Sequence, residues 1–157
     1  MQRNGGWSMK GLDVQSWAIK TIGQIRLHTD RPIVLRPHPG DSKAMSYLGP
    51  RLSRLTNKGV YISAQGTPLE NDLAKAWAVV NHNSSSIVGP VIQGYHAFIT
   101  DPTDSQCKEI ADTDFSNIEN PKHFDRQQWL ERISMFHWKF SELQNGACWR
   151  HMRNYCQ

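Results

Sequence analysis

Four short apolar runs, each ending in a polar turn, constrain the fold of this chain more than any other feature of its sequence. The runs occupy residues 33–35, 60–62, 77–80 and 96–100. They do not alternate with polar residues, which is typical of strands buried on both faces of a parallel sheet. Segments with apolar residues at helical spacing separate them. This alternation predicts a mostly parallel sheet that is covered by helices on both faces.

The predicted fold class is therefore α/β. We expect a Rossmann-like three-layer sandwich with a mostly parallel sheet of four to five strands and a long carboxyl-terminal helix. The 157 residues fit one domain, 1–157, that buries roughly two thirds of its unfolded surface. Residues 100–122, rich in aspartate, predict a surface loop. Asp125 precedes an apolar stripe that predicts one helix over 125–145, and 147–157 form a basic and aromatic tail.

Composition excludes several classes of protein. Hydrophobic residues make up 38% of the chain and six residues are tryptophan, which argues against a disordered chain. The first residues, MQRNGGWSMKG, lack the apolar core of a secretory signal, and no apolar run reaches the roughly 20 residues of a membrane span. We therefore expect a cytoplasmic protein without a membrane span. The odd number of cysteines does not indicate a disulfide framework.

The positive charge of the chain suits an anionic partner. The net charge is +4 and the sequence pI is about 9.1, but the basic residues are dispersed. The densest cluster is the tail, where aromatic residues interleave with Arg150 and Arg153. This pattern suits weak binding to a phosphate backbone and also suits a solvated helix end. Nucleic acid therefore remains a weakly supported partner.

Metal binding and hydrolysis find little support in the sequence. Cys148, His151 and Cys156 have a spacing that is loosely compatible with zinc, but a fourth ligand is missing. The chain has no G-x-S-x-G elbow, no Walker loop and no G-x-G-x-x-G. We expect no metal, no cofactor and no nameable catalytic residue.

Two polar turns that follow predicted strands form the candidate site. Residues 36–39 read Arg-Pro-His-Pro, and residues 81–86 read Asn-His-Asn-Ser-Ser-Ser. If their strands are neighbours, both turns face the crevice at the carboxyl ends of the sheet. Arg36 and His38 offer donors to phosphate, and the serines offer hydroxyls and a helix start. The alternative is structural, because serine is also an ordinary N-cap and histidine an ordinary turn residue.

These residues also resemble a known family. A strand that ends in Arg-Pro-His-Pro, followed later by a strand, Asn-Ser-Ser and a helix, is similar to the carboxyl-terminal, donor-binding half of GT-B fold glycosyltransferases. The pattern resembles that of capsule-polysaccharide-type transferases and of glycosyltransferase-like proteins of phage genomes. The resemblance covers residues 2 to about 145. It implies a domain that binds a nucleotide-sugar through its phosphates.

The resemblance implies phosphate-binding roles for both turns and for a glycine-rich loop at residues 3–10. It carries those roles to His38, Ser84 and Ser85, and the loop is similar to the first loop of the family's half-domain. Together with neighbours in the turns, the predicted nucleotide- and phosphate-binding residues are Arg3, Gly6, Trp7, Arg36, His38, Asn83, Ser84 and Ser85.

The chain departs from the family pattern in three respects. The family usually carries a glutamate on the helix after the serine turn, and this chain has Gly89 and then Pro90, which is expected to kink that helix. The family's Gly-x-Pro is replaced by Gly94-Tyr95-His96. The acceptor domain, which supplies the catalytic base, is expected to be absent. Activity of this chain alone therefore stays open.

Two other functions remain open at this point. One is a non-catalytic interaction protein built on a glycosyltransferase half-domain, such as a phage inhibitor of a host protein. The face left by the missing domain would then bind a protein partner or a second copy of the chain. The other is association with nucleic acid, since phage glycosyltransferases can modify DNA.

Overall fold

The computed structural model describes residues 1–56 and 59–155, and the chain divides into two compact units. Unit 1 is Met1–Phe124 and unit 2 is Asp125–Gln157. Unit 1 contains parallel strand pairs and helices, which confirms the α/β prediction, and unit 2 is helical. Among the described residues, no helix combines the length and the apolar character needed to cross a membrane.

Unit 1 contains a strand at each of the four apolar runs. They form two parallel pairs, and their bounds are β1 (Ile33–Leu35) with β2 (Val60–Ile62), and β3 (Ala78–Asn81) with β4 (His96–Ile99). In the described residues these pairs are two separate two-stranded sheets, whereas the sequence predicts one sheet of four to five strands. Strands of three or four residues offer few ladder hydrogen bonds, so each pairing is short.

Helices and single turns connect the strands of unit 1. The α-helices are α1 (Val14–Arg26), α2 (Ala44–Thr56), α3 (Leu69–Leu73) and α4 (Val88–Ile92), and 3-10 turns lie at Trp7–Met9, Ser85–Ile87 and Phe115–Asn117. Asp13 begins α1, since its carboxylate accepts the Ser16 N–H at 2.8 Å. Val14, Ala18, Ile22 and Ile25 recur at helical spacing in α1 and are buried.

Two apolar clusters form the core of unit 1, and α1 contributes to both. The first contains Ile22, Leu35, Ala44, Leu48 and Val60. The second contains Ile25, Phe98, Phe115 and Ile118, with Ile33, Ala78 and Val80 packed against it. Because β1 and β3 both reach the second cluster, the two strand pairs share a core.

The segment 100–122, predicted as a surface loop, contributes buried side chains to unit 1. Cys107, Ile110, Phe115 and Ile118 are all buried. The aspartates that suggested exposure accept hydrogen bonds from nearby backbone N–H groups, and this satisfies their charge locally. Burial raises the pKa of the Cys107 thiol to about 11.

Pro90 lies in the first turn of α4, directly after the 3-10 turn Ser85–Ile87. A helix interior would lose a hydrogen bond at proline, whereas the first turn has no intrahelical acceptor for that N–H group. The change from 3-10 to α-helix at Val88 thus accommodates a proline that the sequence pattern predicts to kink the helix.

Unit 2 contains three short helices where the sequence predicts one long helix over 125–145 and a tail. They are α5 (Gln127–Phe136), α6 (Phe140–Gln144) and α7 (Ala147–Met152). His137 is extended and ends α5, and the Trp138 indole N–H donates to the Met135 carbonyl at 3.0 Å. The Glu142 carboxylate accepts the Lys139 N–H at 2.7 Å and begins α6. The predicted apolar stripe is therefore divided between two helices.

Candidate functional site

The candidate site lies at the carboxyl edge of unit 1, which is formed by the segments that follow the four strands. We name two of these segments the histidine turn (residues 36–41) and the serine turn (residues 81–86). The glycine-rich loop (residues 3–10) binds both of them. The Asn4 N–H donates to the Asp41 carboxylate at 3.2 Å, and the Asn83 amide donates to the Ser8 carbonyl at 3.0 Å. Four residues span at most about 14 Å, so the two turns lie on the same side of unit 1.

The first two residues of the chain make a second bridge between the same turns. The Met1 nitrogen donates to the Arg36 carbonyl at 2.6 Å. The side-chain amide of Gln2 donates to the side-chain oxygen Oδ1 of Asn83 and, at 3.1 Å, to the Ser8 hydroxyl. Since Met1 and Gln2 are consecutive, the histidine turn and the serine turn approach each other here.

Glycines make the glycine-rich loop tight. Gly5 has a φ of 71°, in the left-handed region that favours glycine, and the Gly6 N–H donates to the Arg3 carbonyl at 3.1 Å. A Cβ on Gly6 would lie only 3.1 Å from that carbonyl. The predicted site residues Arg3 and Trp7 are exposed on the loop, and the Trp7 side chain is 90% exposed.

Arg36 binds groups of the protein itself. Its guanidinium donates to the Asp72 carboxylate at 2.6 Å and to the Thr67 carbonyl at 2.6 Å. The buried Ser63 hydroxyl donates to the same carboxylate at 2.7 Å. The sequence predicts that Arg36 binds phosphate, but the structure shows that it connects β1 to α3 and to the segment after β2.

His38 lines a cavity of about 150 Å³ between the histidine turn and residues 64–67. Its Nδ1 accepts the Gly40 N–H at 3.0 Å, so the neutral ring carries its proton on Nε2. A Cβ on Gly40 would lie 3.3 Å from the imidazole, and glycine therefore leaves room for the ring. His38 is thus held as a hydrogen-bond donor at the rim of an open cavity.

Asp41 also lines this cavity, and donors from the protein surround its charge. Its carboxylate accepts the Tyr47 hydroxyl at 2.7 Å and the N–H groups of Lys43 and Asn4, each at 3.2 Å. Burial alone would raise the pKa of Asp41, but these hydrogen bonds and the charge of Arg3 hold it below its usual range. The carboxylate is therefore ionised at neutral pH and its charge is largely compensated.

The serine turn starts a helix in the ordinary way. The Ser84 hydroxyl accepts the Ser86 N–H at 3.3 Å and lies 2.9 Å from the Ser86 hydroxyl. Asn81 also stabilises the turn, since its side-chain amide donates to the Ser84 carbonyl at 2.9 Å. Ser85 is exposed. Ser84 therefore acts as an N-cap, and Ser85 faces solvent.

Sequence reasoning missed a buried network beside the serine turn. Asp101, directly after β4 and Thr100, accepts the Asn83 amide at 2.8 Å. The Thr100 hydroxyl accepts the Trp17 indole N–H at 2.7 Å and lies 2.9 Å from His82 Nδ1. An aspartate directly after a predicted strand is a signal for such a network, but Asp101 belongs to a segment whose composition predicts a surface loop.

Both titratable groups of this network, His82 and Asp101, are buried, and their pKa values are shifted. Burial lowers the pKa of His82, although the nearby Asp101 carboxylate opposes this. Burial would raise the pKa of Asp101, but the Asn83 amide and the N–H groups of Thr103 and Asp104 hold it below its usual range. At neutral pH the network therefore contains an uncharged imidazole and a carboxylate.

Lys10 ends the glycine-rich loop in an unusual conformation. Its φ of 48° lies in the left-handed region, which costs a non-glycine residue about 1 kcal/mol or more. Its ammonium lies 2.5 Å from Asp104 and 3.9 Å from Asp101. The Lys10 side chain is half exposed. Its ammonium group, the cation at this end of the loop, is paired with these carboxylates.

Cys148, His151 and Cys156 are the residues whose spacing in the sequence is loosely compatible with zinc. Cys156 lies outside the described residues. Within 1–56 and 59–155, no three His, Cys, Asp or Glu side chains are grouped so that they could hold a metal ion. Cys148 is a free thiol, and the His151 ring contacts Trp138 and Tyr155, each with centroids 5.2 Å apart.

Comparison of the chain with protein-family models, with curated proteins and with solved structures gave no match. Any assignment of function to this chain therefore depends on the geometry of the carboxyl edge.

Proposed function

We propose that unit 1 is a phosphate-binding domain of the kind found in the donor-binding half of GT-B glycosyltransferases. Its ligand would be a nucleotide or a nucleotide-sugar, bound through phosphates at the carboxyl edge. The observation that carries this proposal is the glycine-rich loop, which is hydrogen bonded to the histidine turn through Asn4 and to the serine turn through Ser8. The glycine-rich loop, the histidine turn and the serine turn, which are distant in the sequence, thus lie close together at the carboxyl edge.

The topology of unit 1 supports this location for a ligand. We propose that the two strand pairs are halves of one open sheet with the order β2-β1-β3-β4, in a Rossmann-like arrangement. Ile33 of β1 and Val80 of β3 pack against the same cluster, as neighbouring strands would. In that order the strand sequence reverses between β1 and β3, and ligands of open α/β sheets bind at such a switch point. The histidine turn and the serine turn follow these two strands.

The chemistry of the edge suits an anion with several oxygens. His38 offers an N–H group on Nε2, Ser85 offers an exposed hydroxyl, and Arg3 offers an exposed guanidinium. In this proposal Arg36 acts indirectly, because its contacts with Asp72 and Thr67 shape the cavity beside His38. The cavity of about 150 Å³ is smaller than the roughly 300–1,000 Å³ of whole-ligand sites. It would therefore hold one part of a nucleotide.

If sugar transfer occurs, the edge would stabilise the leaving phosphate. Donors that are already fixed in place lower the energy of a developing negative charge without reorganising. His38 and the start of the helix at Ser85 are the donors in position for that role. We assign no catalytic base.

Calorimetric titration with UDP, CMP and their sugars tests the proposal. We expect binding by the wild-type protein, and a loss of about tenfold in affinity for His38→Ala and for Arg3→Ala, since each removes one charged or polar donor to phosphate. His28→Ala is the matched control, because His28 is an exposed histidine at the end of α1. Its affinity should equal that of the wild type.

Two results would contradict this function. Wild-type protein that takes up none of these nucleotides at millimolar concentration would exclude it. Equal affinities for His38→Ala and wild type would remove the histidine turn from the site.

The alternative of an interaction protein is favoured by one feature of unit 2. This unit exposes large apolar side chains: Phe136, Phe140, Leu143, Trp149 and Tyr155 are 52–74% exposed. Exposed apolar patches often mark contacts with a protein partner or with a second copy of the chain. Light scattering after size exclusion distinguishes these cases. A dimer that Phe136→Ser with Phe140→Ser converts to a monomer would support self-association, and a monomer at all concentrations would exclude it.

A further inference from the structure

We propose that Asp101 is the positioning residue of the carboxyl edge. Its carboxylate fixes Asn83, and through Asn83 it sets the separation between the glycine-rich loop and the serine turn. The inference deepens the proposed function and rests on it, because the separation matters for an anion that both segments contact. Nothing in the sequence pattern of the two turns assigns a role to this residue.

Each carboxylate oxygen of Asp101 has a separate task. Oδ1 accepts the N–H groups of Thr103 and Asp104, at 3.0 and 3.2 Å, and so holds the carboxylate on its own turn. Oδ2 accepts the Asn83 amide at 2.8 Å. The residue is only 7% exposed, so water does not replace these donors easily. The position of Asn83 is therefore tied to the end of β4.

Asn83 passes this constraint on to the glycine-rich loop. Its amide nitrogen donates to the Ser8 carbonyl at 3.0 Å as well as to Asp101, and its oxygen accepts from Gln2. Both ends of the side-chain amide are thus used within the protein. The sequence predicts Asn83 as a ligand to phosphate, whereas these bonds make it a link between the loop, the serine turn and Asp101.

The link needs an acceptor at Asp101. An asparagine there would keep its oxygen on Thr103 and Asp104 and would direct its own N–H groups at the amide of Asn83. Two donors cannot bond to each other, so Asn83 would turn away and release Ser8. The carboxylate is also the stronger acceptor, since hydrogen bonds to an ionised group are roughly twice as strong as neutral ones.

Asp112 supplies a matched control. It is a second buried carboxylate, 5% exposed, and it also accepts an asparagine amide, that of Asn117, at 2.8 Å. The other partners of its carboxylate are the Asp114 N–H and the Lys122 ammonium, so its side-chain bonds stay within 112–122. Asp112→Asn therefore removes an equivalent group without touching the glycine-rich loop or the serine turn.

The experiment compares Asp101→Asn with Asp112→Asn in the full chain, by two measurements. The first is amide hydrogen exchange without ligand, read on peptides that cover 3–10 and 83–86. The second is affinity for UDP and for inorganic pyrophosphate. A third variant, Asn83→Ala, removes the same link from the other side and serves if Asp101→Asn does not fold.

We expect Asp101→Asn and Asn83→Ala to exchange faster in both peptides and to lose about tenfold or more in affinity, which corresponds to one charge-assisted hydrogen bond. Asp112→Asn should leave both quantities at the wild-type value even if its melting temperature falls equally. Unchanged exchange in the loop and the turn of Asp101→Asn and Asn83→Ala would overturn the proposal. So would loss of affinity in Asp112→Asn to the same degree, because the effect would then be general destabilisation.

The two proposals fail in different ways. If wild-type protein binds neither UDP nor pyrophosphate, the phosphate-binding function is excluded, while the exchange of 3–10 still decides whether Asp101 holds the loop. If wild type binds and Asp101→Asn binds equally well, the function stands and the positioning role is excluded.

Discussion

The two halves of the carboxyl edge each use one buried or half-buried aspartate, and they use it differently. In the β1–β2 half, Asp72 binds the Arg36 guanidinium and the Ser63 hydroxyl beside an open cavity. In the β3–β4 half, Asp101 binds the Asn83 amide beside the hydrogen bond between Trp17 and Thr100, and the Lys10 ammonium lies 3.9 Å away. The first arrangement lies beside a cavity, whereas Asp101 in the second is only 7% exposed. Under the proposed function, the first half would bind the ligand and the second half would hold the serine turn in place.

The largest effect is expected from the core that both halves share. Phe98 is fully buried and stacks on Phe115 with ring centroids 5.7 Å apart. Phe98→Ala should lower the free energy of unfolding by about 3–5 kcal/mol, because it removes that packing and leaves a cavity. Urea denaturation measures the loss. Phe136→Ala, at a position 69% exposed, should change stability by less than about 0.5 kcal/mol.

The same variant tests whether the two halves belong to one body. Ile33 of β1 packs against the cluster that contains Phe98, so both halves should unfold in one transition. Separate transitions, read by hydrogen exchange of β1 and of β4, would show that the halves are independent.

A smaller loss is expected at the Asp72 pair. Asp72→Ala leaves Arg36, 28% exposed, and the buried Ser63 without their carboxylate. We expect a loss of about 2–3 kcal/mol, below the 3–5 kcal/mol of a fully buried pair, because water reaches part of the guanidinium. Glu119→Ala is the control, since Glu119 pairs with the exposed Arg31. A loss no greater than that of the control would show that Asp72 does not support the cavity.

The closed half should respond to pH through His82. Its folded-state pKa is lowered by burial, so below the ordinary value of about 6.5 the unfolded chain binds the proton more readily than the folded chain. Stability should therefore fall as pH decreases from about 7 towards 5, and His82→Gln should remove part of that slope. Urea midpoints at several pH values measure it. His28→Gln, at an exposed position, should keep the wild-type slope, and equal slopes in both variants would contradict the prediction.

The smallest effect is expected at the start of the serine turn. Ser84→Ala removes the cap on the Ser86 N–H and should cost about 0.5–1 kcal/mol. Ser84→Asp restores a good cap but adds a negative charge, so its stability should match the wild type while its affinity for UDP falls. Titration and urea denaturation together separate the two roles. Wild-type affinity in Ser84→Asp would show that phosphate does not approach this turn.

The sequence predicted the strands well because each strand is a local feature. The runs at 33–35 and 60–62 are strands over their whole length, and the other two begin or end within one residue of the prediction. The common edge of the two turns was predicted on the condition that their strands are neighbours, but β1 and β3 lie in separate two-stranded sheets.

The partners of individual side chains were not predictable in this way. Asp72 lies 36 positions from Arg36, and Asp101 lies 18 positions from Asn83, and no spacing rule connects them. The break between α5 and α6 was hidden because the apolar periodicity continues through His137. The extended backbone of His137, the contact of Trp138 with Met135 and that of Glu142 with Lys139 mark the break.

The buried Cys107 is a chemical probe of local unfolding in unit 1. Its thiol has no exposed surface and stays protonated at neutral pH, so alkylating reagents cannot reach it in the closed protein. Labelling at this cysteine must wait for a fluctuation that exposes the segment after β4. The rate at which Cys107 is modified, measured on a digest of the labelled protein, therefore reports the rate of local unfolding of the segment that follows β4.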